Sequence, residues 1–258
     1  MALTIAGSDP SGGAGIQADL KTFHQFGVYG EAVIALLTVQ NTRTVTRVEI
    51  LDPDLVQEQL CAVLDDIPPH AVKTGALGNA AVVRRVAELV PRLRCPLVVD
   101  PVMISKHGAP LIAEEARAAL WDDLLPRAAL ITPNLHEAAA LTGLSVTSLA
   151  EMREAARRLR DHTGAAVLVK GGHLEGDAVD LLWDGADFRE FRVERIDTVH
   201  THGTGCTYSA AITALLALGI PLPEAVARAK AFITEAIRTN PGLGSGCGPV
   251  NHHARTVQ

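Results

Sequence analysis

The chain is short of positive charge. Its 23 Lys and Arg residues face 29 Asp and Glu, a formal net charge of −6, so no global basic field draws nucleic acid or an anionic membrane. Any phosphate recognition has to be local. The four cysteines, Cys61, Cys95, Cys206 and Cys247, form no C-x-x-C pair; this fits neither a disulfide framework nor a zinc site and points to a reducing compartment. The ten histidines include no H-E-x-x-H, which removes the usual helical zinc signature. No apolar run reaches the about 18 residues of a membrane span, and the N-terminus opens on an apolar strand without a basic leader. A cytoplasmic protein with no membrane partner is the expectation. Linkers, low-complexity tracts and repeats are missing too, so residues 1–258 read as one domain.

What is present is an aliphatic α/β rhythm. Hydrophobic residues are 48% of the chain and aromatics only 3%, enough for one sizeable core. Strands are expected at Leu3–Ala6, Ala32–Val39, Arg47–Leu51, Ala71–Thr74, Leu97–Asp100, Ala129–Thr132 and Ala166–Lys170. Between them lie amphipathic helices at Ile16–Phe26, Asp54–Asp65, Ala80–Val90, Ala113–Trp121, Asn134–Leu141 and Leu149–His162. Continuous apolar strands alternating with helices mean a buried, mostly parallel sheet covered on both faces. After Lys170 the rhythm changes. Asp177–Trp183 and Phe188–Val193 alternate around Asp184-Gly185 as an antiparallel edge hairpin, and helices Thr207–Leu218 and Leu222–Arg238 follow.

In open parallel sheets ligands bind at the carboxyl ends of the strands. Those ends here carry the run Gly7-Ser-Asp-Pro-Ser-Gly-Gly-Ala-Gly15, then Gln40-Asn41, Lys73-Thr-Gly75, Asp100-Pro101, Thr132-Pro-Asn134 and Lys170-Gly-Gly172. The first run contains G-x-G-x-x-A, but Gln40 stands where a dinucleotide fold needs an acidic ribose ligand, and no G-x-x-x-x-G-K-[ST] exists. Asp19, one helical turn inside, reads either as a hydrogen-bonding partner of a small ligand or as a solvated helix position.

The run His202-Gly-Thr-Gly-Cys206 feeds a helix, and unpaired N–H groups with the helix dipole make an anion site there. Cys206 in that field is expected as a thiolate, or else as a small core residue. Phosphoryl transfer needs cations, Mg²⁺ ligands and an anion hole. Asp100 ends an apolar strand, and Asn134-x-x-Glu137 either organises a hydrated Mg²⁺ or forms a capping box. Lys170 offers a point charge to a phosphate, or is a solvated strand end. Lys106 lies in Ser105-Lys-His-Gly108, a stretch able to close as a lid.

Taken in order, these segments resemble the hydroxymethylpyrimidine/phosphomethylpyrimidine kinases of the ribokinase superfamily. The carrying runs are Thr4 to Lys21, Gln40-Asn-Thr42, Lys73-Thr-Gly75, Asp100-Pro-Val-Met103, Ile131-Thr-Pro-Asn134 with Glu137, Val169 to His173, Thr201 to Cys206 and Gly246 to His252. The resemblance implies a three-layer α/β/α ribokinase-like fold, ATP with Mg²⁺, a homodimer, and two successive phosphorylations of 4-amino-5-hydroxymethyl-2-methylpyrimidine in thiamine biosynthesis. It further implies that Gly7, Asp19, Gln40 and Val102 contact the pyrimidine. Asp100, Asn134 and Glu137 organise metal and phosphates, while Lys170, Thr204 and Lys230 meet nucleotide phosphate. Gly203, Gly205 and Cys206 make the anion hole, Cys206 standing where most of the superfamily carries an aspartate base. Ala76 replaces a methionine usual in the family and enlarges the ring pocket. The competing readings are a pyridoxal or pyridoxine kinase, a non-catalytic pyrimidine- or nucleotide-binding module, and a nicotinamide-linked oxidoreductase.

Overall fold

A computed structural model describes residues 1–103, 112, 114–172, 174 and 176–255. Its centre is a nine-stranded sheet in the order β3-β2-β1-β4-β5-β6-β7-β8-β9. The strands are β1 (Ala2–Ser8), β2 (Gly30–Gln40), β3 (Val45–Ile50), β4 (Ala71–Thr74), β5 (Leu97–Val99), β6 (Leu130–Ile131), β7 (Ala166–Gly171), β8 (Ala178–Trp183) and β9 (Phe188–Val193). The central strands run parallel, and β8 and β9 form the expected antiparallel hairpin beside β7.

The other edge differs from the sequence reading. β3 pairs antiparallel with β2, because only the four residues Asn41–Thr44 separate the two strands, too few for a parallel crossover. Asn41 makes that turn: its Oδ1 accepts from the backbone N–H groups of Arg43 and Thr44 at 2.8 and 3.1 Å. The flap it closes brings the outer half of β2, with Thr38 and Gln40, beside the first glycine loop.

Helices cover both faces. On one lie α2 (Pro53–Asp66), α3 (Ala80–Leu89), α4 (Glu114–Ala119), α5 (Leu135–Thr142) and α6 (Leu149–Thr163); on the other lie α1 (Gly15–Gln25), α7 (Thr204–Ala217) and α8 (Leu222–Arg238). The large core joins Ile5, Val72 and Val99 of the sheet to Leu60, Val83 and Leu159, and a second core packs Val98 and Leu168 on Ile212 and Phe232. At roughly 25 cal/mol per Å² of apolar surface, these two faces supply most of the driving force for folding.

The chain leaves β1 for β2 on one side and returns to β4 on the other. The carboxyl ends of β1 and β4 therefore flank the point where strand order reverses, which is where such sheets open a crevice. Helix α7 begins at Thr204, three residues earlier than expected, with Gly203 as its cap at φ +78°. A Cβ at Gly203 would lie 1.7 Å from the carbonyl oxygen of Gly13. Only glycine lets this turn cross the first glycine loop so closely.

Candidate active site

A cavity of about 790 Å³ opens along the carboxyl ends of the strands. Gly7, Gln40, Ala76 and Val102 line one end, while Lys170, Thr204, Tyr208 and Lys230 line the other. Asp100, Glu137 and the Gly203–Cys206 turn line it too. The structure thus brings together every expected site residue it describes except one; Lys106 lies outside the described residues.

The exception is Asp19. Its side chain is fully buried, accepts from Thr4 Oγ1 at 2.6 Å and pairs with Lys73 Nζ at 2.7 Å. It is not among the residues that line the cavity, and the solvated-helix reading does not hold, because the side chain is enclosed and paired with a cation. The helix face decides this, since α1 buries Asp19 together with Ile16 and Phe23. Burial alone would lower the Lys73 ammonium, but the Asp19 carboxylate first, with Asp100 beyond it, holds it above its ordinary value.

Asp100 anchors the centre. Its Oδ1 accepts from Lys170 Nζ at 2.8 Å and Thr132 Oγ1 at 3.0 Å, and its Oδ2 from Ser209 Oγ at 3.2 Å. Burial pushes this carboxyl up, yet Lys170, then Lys73, pulls it below its ordinary value, and it stays ionised. The turn passes directly over this pair: a Cβ at Gly205 would stand 3.3 Å from Lys170 Nζ.

Asn134 and Glu137 form the capping box of one of their two sequence readings. Asn134 Oδ1 accepts from the Glu137 N–H at 2.9 Å and Glu137 Oε2 from the Asn134 N–H at 2.8 Å, a complete capping box. The same two side chains line the cavity. Burial, reinforced by the charge of Asp100 and opposed by Lys170, pushes Glu137 up to about 7. A buried carboxylate raised in this way gains from a cation placed beside it.

Cys206 corrects an expectation. The helix terminus was expected to favour the thiolate; instead burial, with Asp19 and Asp100 adding to it against Lys73, pushes the thiol up to about 11. Desolvation outweighs the helix field here, so the ligand-free protein carries a thiol at neutral pH.

Four residues without an assigned role in the sequence prove central. Lys73, Asp9, His202 and Asp180 all line the cavity. Lys73 and Asp180 are lone charges inside apolar strands, the sequence signal that marks them; in the structure Asp180 takes Lys230 Nζ at 2.6 Å and the Gly171 N–H at 3.0 Å. Each lysine in the described cavity wall therefore has its own aspartate: Lys73 with Asp19, Lys170 with Asp100, Lys230 with Asp180. Pairing cancels their charge at rest, and a further cation is what a polyphosphate would require beside Asp100 and Glu137.

Comparison with known proteins gives the arrangement its relatives. A family model described as phosphomethylpyrimidine kinase matches residues 9–251. The hydroxymethylpyrimidine/phosphomethylpyrimidine kinase of Synechococcus elongatus is 48% identical over 254 residues, covering 98% of this chain and 97% of that protein. The thiamine biosynthesis bifunctional protein ThiED of Geobacter sulfurreducens is 52% identical over 252 residues, which are 97% of this chain but 51% of that protein. Among solved structures, the pyridoxal kinase from Staphylococcus aureus in complex with ADP superposes with a TM-score of 0.91 at 39% identity, covering 98% and 93% of the two chains.

Proposed function

The chain belongs to the phosphomethylpyrimidine kinase family, and from that membership we propose that it phosphorylates 4-amino-5-hydroxymethyl-2-methylpyrimidine with ATP and then phosphorylates the monophosphate again. The observation that carries the reading is the Gly203–Cys206 turn lying over the Lys170–Asp100 pair, an anion hole set beside a cation and a carboxylate in one cavity.

The pyrimidine occupies the end lined by Gly7, Gln40, Ala76 and Val102, Gln40 meeting its amino and ring nitrogens. The nucleotide occupies the end lined by Thr204, Tyr208 and Lys230. In the transfer, the hydroxymethyl oxygen forms a bond to the γ-phosphorus, the bond to the bridging oxygen breaks, ADP leaves and the hydroxyl proton is released. The N–H groups at the start of α7 and the Lys170 ammonium stabilise the charge on the phosphoryl oxygens. Cys206 is the side chain of this turn that meets the substrate hydroxyl: as a thiol it holds the alcohol in place, and only its minor thiolate form takes the proton, late, as the oxygen bonds to phosphorus.

The donor set suits Mg²⁺. Asp100 and Glu137 offer hard carboxylate oxygens, and one or two carboxylates with water and phosphate oxygens are what this ion takes. When bound, Mg²⁺ would supply charge neutralisation of the nucleotide phosphates. The functional unit is a cytoplasmic homodimer, which sedimentation analysis checks; no helix among the described residues is long and apolar enough to cross a membrane.

A second reading, pyridoxal kinase, is favoured by the ADP-bound structural neighbour and by Ala76, whose small side chain leaves room in the ring pocket. One assay separates the two. The protein is incubated with Mg-ATP and, separately, the pyrimidine alcohol, its monophosphate and pyridoxal, and the products are resolved. Diphosphate formed from the pyrimidine monophosphate supports the two-step kinase; turnover of pyridoxal alone overturns it.

A further inference from the structure

Each of the three lysine–aspartate pairs has a hydroxyl beside its carboxylate. Thr4 Oγ1 donates to Asp19 at 2.6 Å. Thr132 Oγ1 and Ser209 Oγ reach Asp100 at 3.0 and 3.2 Å. The third hydroxyl, that of Tyr208 next to Asp180, is held back. It is enclosed, and no group stands at hydrogen-bonding geometry to it among the described residues. Burial first, with the Asp180 charge adding to it, raises the phenol well above its ordinary value. The group therefore keeps its proton and can donate.

An enclosed hydroxyl without a partner is a cost that folded proteins normally avoid. Tyr208 is 3% exposed, and its ring belongs to the second core with Leu168, Ile212 and Phe232. Phenylalanine would fill that space without the unpaired group. What the hydroxyl can gain lies in Asp180, whose Oδ1 accepts from the Gly171 N–H at 3.0 Å and whose Oδ2 accepts from Lys230 Nζ at 2.6 Å. The two side chains of this ion pair are 4% and 10% exposed. Drawing Lys230 towards a ligand phosphate would leave a buried carboxylate without its cation, which is strongly destabilising unless another donor steps in. Tyr208, Asp180 and Lys230 come from α7, β8 and α8, and all three line the cavity.

We propose that Tyr208 is a positioning residue for nucleotide binding, whose hydroxyl takes over Asp180 Oδ2 as a nucleotide phosphate draws Lys230 Nζ away. Lys230 then brings its charge to the phosphate without leaving Asp180 unpaired. Asp180 Oδ1 keeps the Gly171 N–H throughout, so the carboxylate stays anchored to β7 while its other partner changes. The inference rests on the reading above that places the nucleotide beside Thr204, Tyr208 and Lys230.

Tyr208→Phe tests it through two readouts of opposite sign. In the ligand-free protein the change removes only an unpaired group, so thermal unfolding should give a Tm equal to or above that of the wild type. With nucleotide bound it removes a hydrogen bond, so the Kd of ADP, measured by titration calorimetry with Mg²⁺ present, should rise about five- to tenfold. In a Lys230→Gln background no ammonium is drawn away, and the same change should raise the ADP Kd less than about twofold. Should Lys230→Gln not fold, adenosine becomes the probe: it has no phosphate, and Tyr208→Phe should shift its Kd less than about twofold. A lower Tm of the ligand-free variant overturns the inference, because the hydroxyl would already be bonded. An ADP Kd within about twofold of wild type overturns it too, as does a loss that Lys230→Gln or adenosine leaves undiminished. None of these readouts needs the pyrimidine. A wild type that binds no ADP overturns the nucleotide reading and this inference together; one that binds ADP but leaves the aminopyrimidine unphosphorylated overturns the proposed pyrimidine kinase alone.

Discussion

Lys73 Nζ and Asp19 Oδ1 lie 2.7 Å apart, and neither side chain has any exposed surface. They come from β4 and α1, and they meet at the floor of the cavity, which Lys73 lines and where Thr4 also donates to Asp19 at 2.6 Å. A buried pair of this kind is costly to split, because the survivor keeps a charge that water no longer solvates.

Replacing Lys73 by Met should therefore destabilise the protein by about 3–5 kcal/mol, the range for breaking a buried pair. Adding Asp19→Asn should recover a large part of that loss, since the stranded carboxylate is then gone. Urea unfolding of the wild type, the single variant and the pair measures both effects. A single variant within about 1 kcal/mol of wild type would mean that water reaches the site and screens the charge.

The sequence made the layers legible and left the pairings dark. Apolar strands and amphipathic helices appear within a few residues of their expected positions, because burial on both sheet faces writes itself into the hydrophobic pattern. The antiparallel flap at β3 was not read, although the short Asn41 turn carries its cause. In the site, the strand-end positions of Asp100, Asn134, Glu137 and Lys170 were readable from topology alone. The partners of Asp19, Lys230 and His202 were not. Asp9 and His202 stand 193 residues apart, and no local rule relates them. The Cys206 expectation failed for a related reason: the helix field is local and visible in sequence, whereas enclosure by the surrounding chain is not.

Glu31 makes stability pH-dependent from the opposite end of the sheet. It stands at the start of β2, 7% exposed, and neither carboxylate oxygen has a hydrogen-bond partner among the described residues. Burial, opposed by the amino terminus, raises it from an ordinary 4.5 to about 7. A raised carboxyl favours folding while it is protonated, so its contribution is complete below about pH 4.5 and is lost as pH rises through 7. Glu31→Gln should leave Tm nearly unchanged at pH 4 and raise it at pH 8, by roughly 1–3 kcal/mol of stability. Thermal melts at the two pH values check the sign; an equal shift at both would remove titration as the cause.

The metal role proposed above for Glu137 has a direct test. Glu137→Gln keeps the shape of the α5 capping box but removes the charge that the buried site would share with Mg²⁺. The Mg²⁺ concentration for half-maximal rate should rise about tenfold or more, the usual scale for losing one group at a metal site. Saturating metal should restore part of the rate. An unchanged Mg²⁺ dependence would assign Glu137 to the helix cap alone.

The thiol of Cys206 predicts the shape of the pH–rate profile. Because burial holds it near 11, the thiolate is a minor species at pH 7, and its share grows tenfold with each unit of pH until that value is approached. If the thiolate accepts the hydroxyl proton, kcat of the wild type should climb from pH 7 through 9, provided chemistry rather than ADP release limits turnover. A single-turnover measurement with enzyme in excess over ATP meets that condition. Cys206→Ala should then lower the rate by about a hundredfold or more, the scale of a general base, and its residual rate should be flat across the same range. Cys206→Ser offers the sharper comparison: a serine hydroxyl can hold the substrate alcohol in place but does not ionise in this window. A serine variant with near-normal rate and the same slope would leave Cys206 as a wall of the anion hole, with the proton passing directly to a phosphoryl oxygen or to water.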